Sequence, residues 1–294
     1  MVSVPVQAAR GGGPIGRRSS GGGRTRLWVL LAAVLIVLAL TYIPFLIVLN
    51  NSFKSSGQFI AHPFGVSLNL HFHNYVTAFK GVDEYLLNTI IVAAVSVIIG
   101  VPAGALGAYA FAKMEFRGKG VVFVGYLGLL MVPWTLTLIP LFVEIQRYQL
   151  FNTWWALVLP YAAGAQPLNL FLFRTFFEQI PDELYQSARV DGCGELAVLR
   201  RIVTPLAMPV LLTGAVLMFV DAWGDYLWPQ LVLRDNGLLT ASAGLESFVG
   251  TFSLGGGIGP EFAAYVIVML PIMLLVAGMM KYFVAGTTQG ALNI

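Results

Sequence analysis

Six segments of this sequence are each about 20 residues long or longer and nearly free of charged side chains. An apolar helix of about 20 residues crosses the roughly 30 Å hydrocarbon core of a bilayer, because each residue adds about 1.5 Å. The pattern therefore predicts an all-α polytopic membrane protein with six transmembrane helices. The predicted spans are residues 27–49, 87–112, 121–145, 154–173, 206–228 and 262–280.

Composition excludes the main soluble classes. Hydrophobic residues make up 57% of the 294 residues, charged residues only 11%, and the mean hydropathy is +0.79. Soluble domains carry about 25% charged residues, so this chain cannot cover its apolar surface in water. A net charge of +3 is too small to indicate a nucleic-acid partner, and the single cysteine, Cys193, excludes an intramolecular disulfide and a multi-cysteine metal site.

The distribution of Lys and Arg predicts the orientation of the spans, because cytoplasmic loops are enriched in these residues. With the N-terminus inside, the inner segments hold thirteen of the 17 basic residues and the outer segments hold four. Both termini are therefore expected to be cytoplasmic. The four outer residues are Lys54, Lys80, Arg147 and Arg234.

The segments between and beyond the spans differ in character. Residues 1–26 are rich in Gly, Arg and Ser, which predicts a disordered tail. Residues 50–86 form a long outer loop, and residues 229–261 form a second one. Residues 87–281 make up the transmembrane core, and residues 282–294 are predicted to be a cytoplasmic tail.

The inner loop that follows the fourth span has the signals of a folded element. Pro181 suits a first helical position, and the acidic Asp182 and Glu183 suit a helix N-terminus. Gly192 can end that helix in a left-handed cap. A second helical stretch, residues 195–203, ends before Pro205. The loop is therefore predicted to hold two short helices.

The spacing within this loop resembles a known family. Gln186-Ser187-Ala188 precedes Asp191-Gly192, and Ile202, Pro205-Leu206 and Pro209 follow. This is similar to the EAA loop of type I ABC importer permeases, with the form EAA-x-x-DG and then I-x-x-PL-x-x-P. Gln186 replaces the family's Glu.

The resemblance covers nearly everything after Leu27 and is closest to the carbohydrate branch, that of the shorter maltose-type permease subunit. It implies the ABC importer type I transmembrane fold, with residues 178–209 as a coupling loop that docks on an ATPase subunit. The coupling residues implied are Gln186, Ser187, Ala188, Asp191, Gly192, Pro205 and Pro209. Small side chains in this loop are expected to let the helix lie close to its partner.

The same resemblance implies partners, a location and a task. The partners would be a second, different permease, a cytoplasmic ATPase dimer and an extracytoplasmic solute-binding protein, in a bacterial plasma membrane. The chain would form half of the pathway for a sugar or oligosaccharide. ATP and Mg²⁺ would be bound by the ATPase, so no cofactor is expected in this chain. In relatives the C-terminal tail reaches between the ATPase subunits, which implies the same for residues 286–294.

Two carboxylates in the fifth span suggest a substrate pathway. Asp221 and Asp225 are four residues apart, hence on one helix face, with Trp223 between them. Charges inside a membrane usually face a cavity, a partner or a pathway, and a carboxylate beside an aromatic ring suits a sugar. The alternative is that Asp221 binds a neighbouring helix for assembly and Asp225 lies at the outer interface.

Other functions leave weaker traces in this sequence. Gly118-Lys119-Gly120 lacks the spacing of a phosphate-binding loop, and no catalytic set or metal-ligand set is apparent, so the chain is not expected to be an enzyme. An ABC permease for a sugar phosphate, a peptide or another polar solute remains an alternative, as does a secondary transporter not coupled to ATP. A channel or a membrane enzyme would not require the coupling loop.

Overall fold

The computed structural model describes residues 21–67, 69–253 and 257–291, and within them it contains helices and no strand. The predicted tail of residues 1–26 lies outside the described residues as far as residue 20, and the first helix begins at Gly21. The helices are α1 (Gly21–Ser52), α2 (Ser56–Ala61), α3 (His73–Lys113), α4 (Lys119–Gly128), α5 (Trp134–Arg147), α6 (Trp155–Gly164), α7 (Gln166–Glu178), α8 (Asp182–Val190), α9 (Glu195–Val198), α10 (Thr204–Leu206), α11 (Met208–Gly224), α12 (Leu227–Val232), α13 (Ala241–Ser253) and α14 (Ile258–Ala291).

Three of these helices contain segments long and apolar enough to cross a membrane unbroken, namely Arg26–Ser52, His73–Lys113 and Ile258–Met279. Three helix pairs pass the same test only together, and each is sharply bent. The bend is 99° before α5, 41° before α7 and 83° before α11. Counted with each pair as one span, the described residues contain up to six spans by length and composition, the number predicted, and three of them are broken.

Proline explains where these spans break. Pro133 lies just before α5 with an extended backbone, while Pro167 and Pro209 occupy the first turns of α7 and α11. A proline has no N–H for the preceding turn and its ring collides with the carbonyl four residues back, so a helix stops and a new one starts. Four other prolines in the spans could kink their helices, but they lie inside continuous helices: Pro102, Pro140, Pro160 and Pro271.

The chain divides into two units, residues 1–47 and residues 48–294. In the second unit, α3 packs against α6, α7, α11, α13 and α14. Small residues allow the close approach, as the spacing of Gly100, Gly104 and Ala108 predicts. A Cβ atom on Gly104 would lie 3.1 Å from the Cβ of Asn169, and one on Gly100 would lie 2.3 Å from the end of Met218.

The segments expected to be long loops are more helical than predicted. The second span begins at His73 rather than at residue 87, and α13 lies within the predicted outer loop of residues 229–261. Polar side chains lower the hydropathy of the first turns of α3. Ala78 and Val82 nevertheless bury one face of those turns in a cluster with α13 and α14. Tertiary packing therefore extends the helix beyond the apolar stretch.

The C-terminal segment is also helical. Helix α14 continues to Ala291, through most of the residues 282–294 predicted to be a tail. Residues 292–294 lie outside the described part of the chain.

Candidate coupling surface and membrane cavity

Helix α8 is defined by its own sequence at both ends. Pro181 immediately precedes the first helical residue, one position earlier than predicted, and the acidic Asp182 and Glu183 occupy the first turn. At the other end Gly192 has φ +79°, as the predicted left-handed cap requires. Its N–H donates to the carbonyl of Arg189 at 3.0 Å, and the N–H of Cys193 donates to that of Ala188 at 2.9 Å. These two bonds form a Schellman motif.

The end of α3 holds the start of α8. Lys113 Nζ donates to the carbonyl of Ile180 at 3.0 Å and to Asp182 Oδ1 at 2.7 Å. The same ammonium lies 4.3 Å from the centroid of the Tyr185 ring. The bond from Lys113 lowers the pKa of Asp182, while burial, helped by the charge of Asp182, raises the pKa of Tyr185 to about 12.

A second link joins α3 to the residues that follow α8. The hydroxyl of Tyr109 donates to Glu195 Oε2 at 2.5 Å, and Arg189 pairs with Glu195 Oε1 at 2.8 Å. Glu195 therefore connects α3, α8 and α9. Through these contacts, the loop between α7 and α11 is attached to the longest helix of the core.

The three residues of the EAA-like motif face two directions. Gln186 and Ser187 are exposed, whereas Ala188 is only 5% exposed and packs in the cluster around Phe173 and Phe177. The small side chain of Ala188 thus allows α8 to approach the hydrophobic core of this chain. The expectation that this side chain faces a partner is not met. Three apolar side chains of this loop are exposed as well. They are Leu184 at 40%, Val190 at 88% and Leu196 at 69%.

We call the exposed part of residues 181–196 the coupling surface. Asp191 and Gly192 are exposed at its edge. Pro205 and Pro209 are exposed too, but they flank the 83° bend at which α10 gives way to α11. Pro205 lies inside the helical run Glu195–Leu206, which extends past the predicted end at residue 203, whereas Pro209 lies in the first turn of α11, where a proline is tolerated.

The second candidate region is a cavity of about 580 Å³. Its walls come from the turn before α5, from α6, from the start of α7 and from the last turns of α11. Asp221 and Asp225 both line it, as their spacing predicts. Asn169, a polar residue in the fourth span, lines it as well.

The two carboxylates have different surroundings. Asp225 Oδ2 accepts a hydrogen bond from the hydroxyl of Tyr161 at 2.9 Å, and its Oδ1 accepts one from the N–H of Trp228 at 3.2 Å. Asp221 is exposed in the cavity, and no hydrogen bond reaches its carboxylate from the residues that the structure describes. The alternative in which Asp221 binds a neighbouring helix finds no support in these contacts.

Trp223 is separated from both carboxylates. Its side chain is buried, stacks on Phe219 and donates from Nε1 to the carbonyl of Val268 at 3.2 Å, so it binds α11 to α14. Side chains two positions apart on a helix point about 200° away from each other. Trp223 is two positions from each carboxylate, so it lies on the opposite side of the helix from Asp221 and Asp225. The predicted pairing of Trp223 with the carboxylates is therefore not formed.

Two other aromatic side chains take that place. Trp134 and Tyr161 line the cavity with the carboxylates. They come from the third and fourth spans, and nothing in their spacing to Asp221 marks them in the sequence. A partial signal was Pro133, which marks Trp134 as the first residue after a break in the third span.

Comparison with known proteins identifies the family. The profile of the family described as "Binding-protein-dependent transport system inner membrane component" matches residues 85–289. The chain belongs to this family. It is 35% identical over 272 residues to the probable ABC transporter permease protein YurM of Bacillus subtilis, covering 92% of this chain and 89% of the relative.

A further relative supports this assignment, and a solved structure supports the fold. The chain is 31% identical to the trehalose transport system permease protein SugB of Mycobacterium tuberculosis, over 93% of this chain and 99% of the relative. A solved bacterial ABC transporter involved in import of the acidic polysaccharide alginate has the same fold, with a TM-score of 0.77 at 22% identity, over 90% of this chain and 99% of that one. The chain is therefore a multi-pass permease subunit of an ABC transporter, and the expected fold is confirmed.

Proposed function

We propose that this chain is one of two different permease subunits in an ATP-driven importer of a sugar or oligosaccharide. The names of its relatives support this substrate class, since they include a trehalose permease and the diacetylchitobiose uptake permease NgcG of Streptomyces coelicolor, which is 29% identical over 90% of this chain. A solute-binding protein would deliver the sugar. A related solved transporter is in complex with a pentasaccharide-bound periplasmic protein.

The coupling surface is the observation that carries this proposal. Helix α8 presents Gln186 and Ser187 outward while Lys113 and Tyr109 tie the loop to α3. An ATPase dimer that closes on ATP would move α8, and α3 would move with it. Because α6, α7 and α11 pack on α3, the displacement would reach the cavity and open it alternately to each side.

The ATPase would supply the energy and hold ATP and Mg²⁺, so we assign no cofactor and no catalysis to this chain. The excess of basic residues in alternate segments supports cytoplasmic termini in a bacterial plasma membrane. In this orientation the coupling surface faces the cytoplasm, as contact with the ATPase requires. Gln186 can accept or donate a hydrogen bond there but cannot form the ion pair of the family's Glu.

The test is purification of the tagged chain from its native membrane in mild detergent. The variant Gly192→Val forces a β-branched residue into φ +79°, at a cost of about 1–2 kcal/mol. A Cβ atom there would meet nothing within 4 Å, so only the backbone of the cap is affected. We expect the ATPase and the second permease to co-purify with the wild type, and the ATPase to be lost from the variant.

Gly194→Ala is the matched control. Gly194 has φ −72° and equally open surroundings, so this variant should retain the ATPase. A wild-type chain that purifies alone and transports solute in vesicles without ATP would contradict the proposal. That outcome would favour a secondary transporter.

A further inference from the structure

We propose that the cavity lined by Trp134, Tyr161 and Asp221 is a saccharide subsite supplied by this chain, selective for uncharged or cationic sugars over acidic ones. This rests on the proposed function and names the substrate chemistry and the residues that would recognise it. A volume of about 580 Å³ lies within the range of small-molecule sites, roughly 300–1,000 Å³.

The cavity lies where the transmembrane helices are interrupted. Helix α5 starts at Trp134 after the 99° bend, α7 starts at Gln166 after the 41° bend, and α11 ends at Gly224. Irregular backbone inside a membrane is tolerated where it lines a cavity. In secondary transporters, substrate sites are built at such discontinuous helices, and we apply the same physical argument here. The architecture thus marks this place independently of its side chains.

Two polar side chains in the cavity have unused hydrogen-bonding capacity. Asn169 is 1% exposed, and among the described residues its side-chain amide donates only to the sulfur of Met218, at 3.1 Å. A thioether is a weak acceptor. Asp221 receives no hydrogen bond from the described chain. The amide of Asn169 faces Met218 and Gly214 of α11, so the carboxylate of Asp221 is the group that a ligand with several hydroxyl groups would satisfy.

Two aromatic rings supply apolar surface beside these polar groups. Trp134 is 41% exposed, and the fully buried Trp228 supports it edge-to-face with ring centroids 6.1 Å apart. Tyr161 is held by its bond to Asp225, which the N–H of Trp228 also fixes. The rings are thus positioned in advance by buried contacts. A sugar ring can place its C–H face on an aromatic ring while its hydroxyls bind the adjacent carboxylate.

Charge decides which sugars fit. The described residues that line the cavity include Asp221 and Asp225 and no Lys, Arg or His. Two carboxylates repel a uronate or a sugar phosphate, and none of the described residues that line the cavity carries a positive charge to offset that repulsion. A neutral sugar avoids this cost, and an amino sugar would gain an opposite charge.

The test measures equilibrium binding of radiolabelled trehalose, N,N′-diacetylchitobiose and a mannuronate disaccharide to the assembled importer in lipid nanodiscs. The solute-binding protein is omitted, so its own specificity does not contribute. We expect the wild type to bind at least one neutral disaccharide and not the mannuronate. Asp221→Asn and Trp134→Leu should each weaken that binding about tenfold, as for loss of one charge-assisted or stacking contact.

Matched controls use the same chemistry outside the cavity. Glu144→Gln removes a carboxylate that pairs with Arg147 at 3.6 Å, and Trp155→Leu removes an indole that is 51% exposed on α6. Neither residue lines the cavity, so both variants should bind sugar as the wild type does. Retained assembly and ATP hydrolysis show that each variant is folded.

Three results would contradict the proposal that this cavity is a saccharide subsite. They are unchanged binding in Asp221→Asn and Trp134→Leu, equal wild-type binding of mannuronate and neutral sugar, and no wild-type binding of any of the three. The proposed function is judged separately, by ATP-dependent uptake into proteoliposomes with the solute-binding protein present. Uptake that persists alongside any of the three results rejects the subsite and leaves the proposed function standing.

Discussion

The coupling surface and the cavity are built in opposite ways. The coupling surface lies within one run of residues, 181–196, whose ends are set by a proline and by a glycine with φ +79°. The cavity draws residues from three broken spans between Leu130 and Asp225. A surface whose helix ends are marked by nearby residues can be recognised from the spacing of those residues. A cavity made by packing distant segments cannot, because no local pattern links its walls.

If the two regions are separately built, substitutions should damage them separately. The largest effect is expected at the base of the cavity. A Cβ atom on Gly214 would lie 2.5 Å from Cζ of Phe173 and 2.6 Å from Oδ1 of Asn169. Phe173 is fully buried and cannot yield. Gly214→Ala should therefore lower the free energy of unfolding by about 2–3 kcal/mol and weaken saccharide binding, since Asn169 must move.

Thermal unfolding in detergent measures this effect. Gly224→Ala, on the same helix, is the control because a Cβ atom there would meet nothing within 4 Å. Equal melting temperatures for the two variants would show that α7 and α11 pack less tightly than described.

The second prediction concerns Lys113, which serves the coupling surface alone. Lys113→Met removes the bonds to Ile180 and Asp182 and the contact with Tyr185. We expect the free energy of unfolding to fall by about 2 kcal/mol and amide hydrogen exchange in residues 181–192 to become faster. The loaded solute-binding protein should also stimulate ATP hydrolysis less than in the wild type. Saccharide binding in the cavity should not change.

Lys119→Met is the control for Lys113, since Lys119 pairs only with the 91% exposed Glu115 among the described residues. A comparable loss in both variants would mean that the charge, and not the three contacts of Lys113, matters. Weakened sugar binding in Lys113→Met would break the separation between the two regions.

A smaller effect is expected at Tyr109. Tyr109→Phe keeps the ring in the core but deletes the bond to Glu195, which still pairs with Arg189. The free energy of unfolding should fall by about 1 kcal/mol, with faster hydrogen exchange centred on residues 195–203. Tyr148→Phe, at a residue that is 67% exposed, should show neither change. Exchange that stays as in the wild type would remove Tyr109 from the coupling linkage.

The smallest effect is a pH dependence at the start of α8. Lys113 lowers the pKa of Asp182, so the stabilisation is present above the ordinary Asp pKa of about 3.9 and is lost as pH falls through the lowered value. The melting-temperature difference between wild type and Asp182→Asn should therefore narrow from pH 7 to about pH 3. A constant difference for Asp182→Asn would exclude the ion pair as its cause.

Much of the fold follows from the sequence by simple physics. Six apolar stretches predict six spans because backbone groups in lipid must bond within a helix. Pro181 and Gly192 predict the ends of α8. A proline is tolerated at the start of a helix but not inside it, and a glycine adopts the left-handed conformation that ends a helix without steric cost. The early start of α3 at His73 was missed, because its polar first turns are helical only through packing on α13 and α14.

The sequence by itself determined the membrane architecture, the family and the position of α8, the helix that we propose to be the coupling helix. Each depends on hydropathy or on residues close together in the chain. Only the tertiary structure decided that Ala188 faces inward and that Trp134 and Tyr161 flank the cavity. The separation of Trp223 from Asp221, in contrast, already follows from their two-residue spacing on a helix. Which face of a helix is buried depends on the helices that pack beside it. Packing brings together residues that no spacing in the sequence connects.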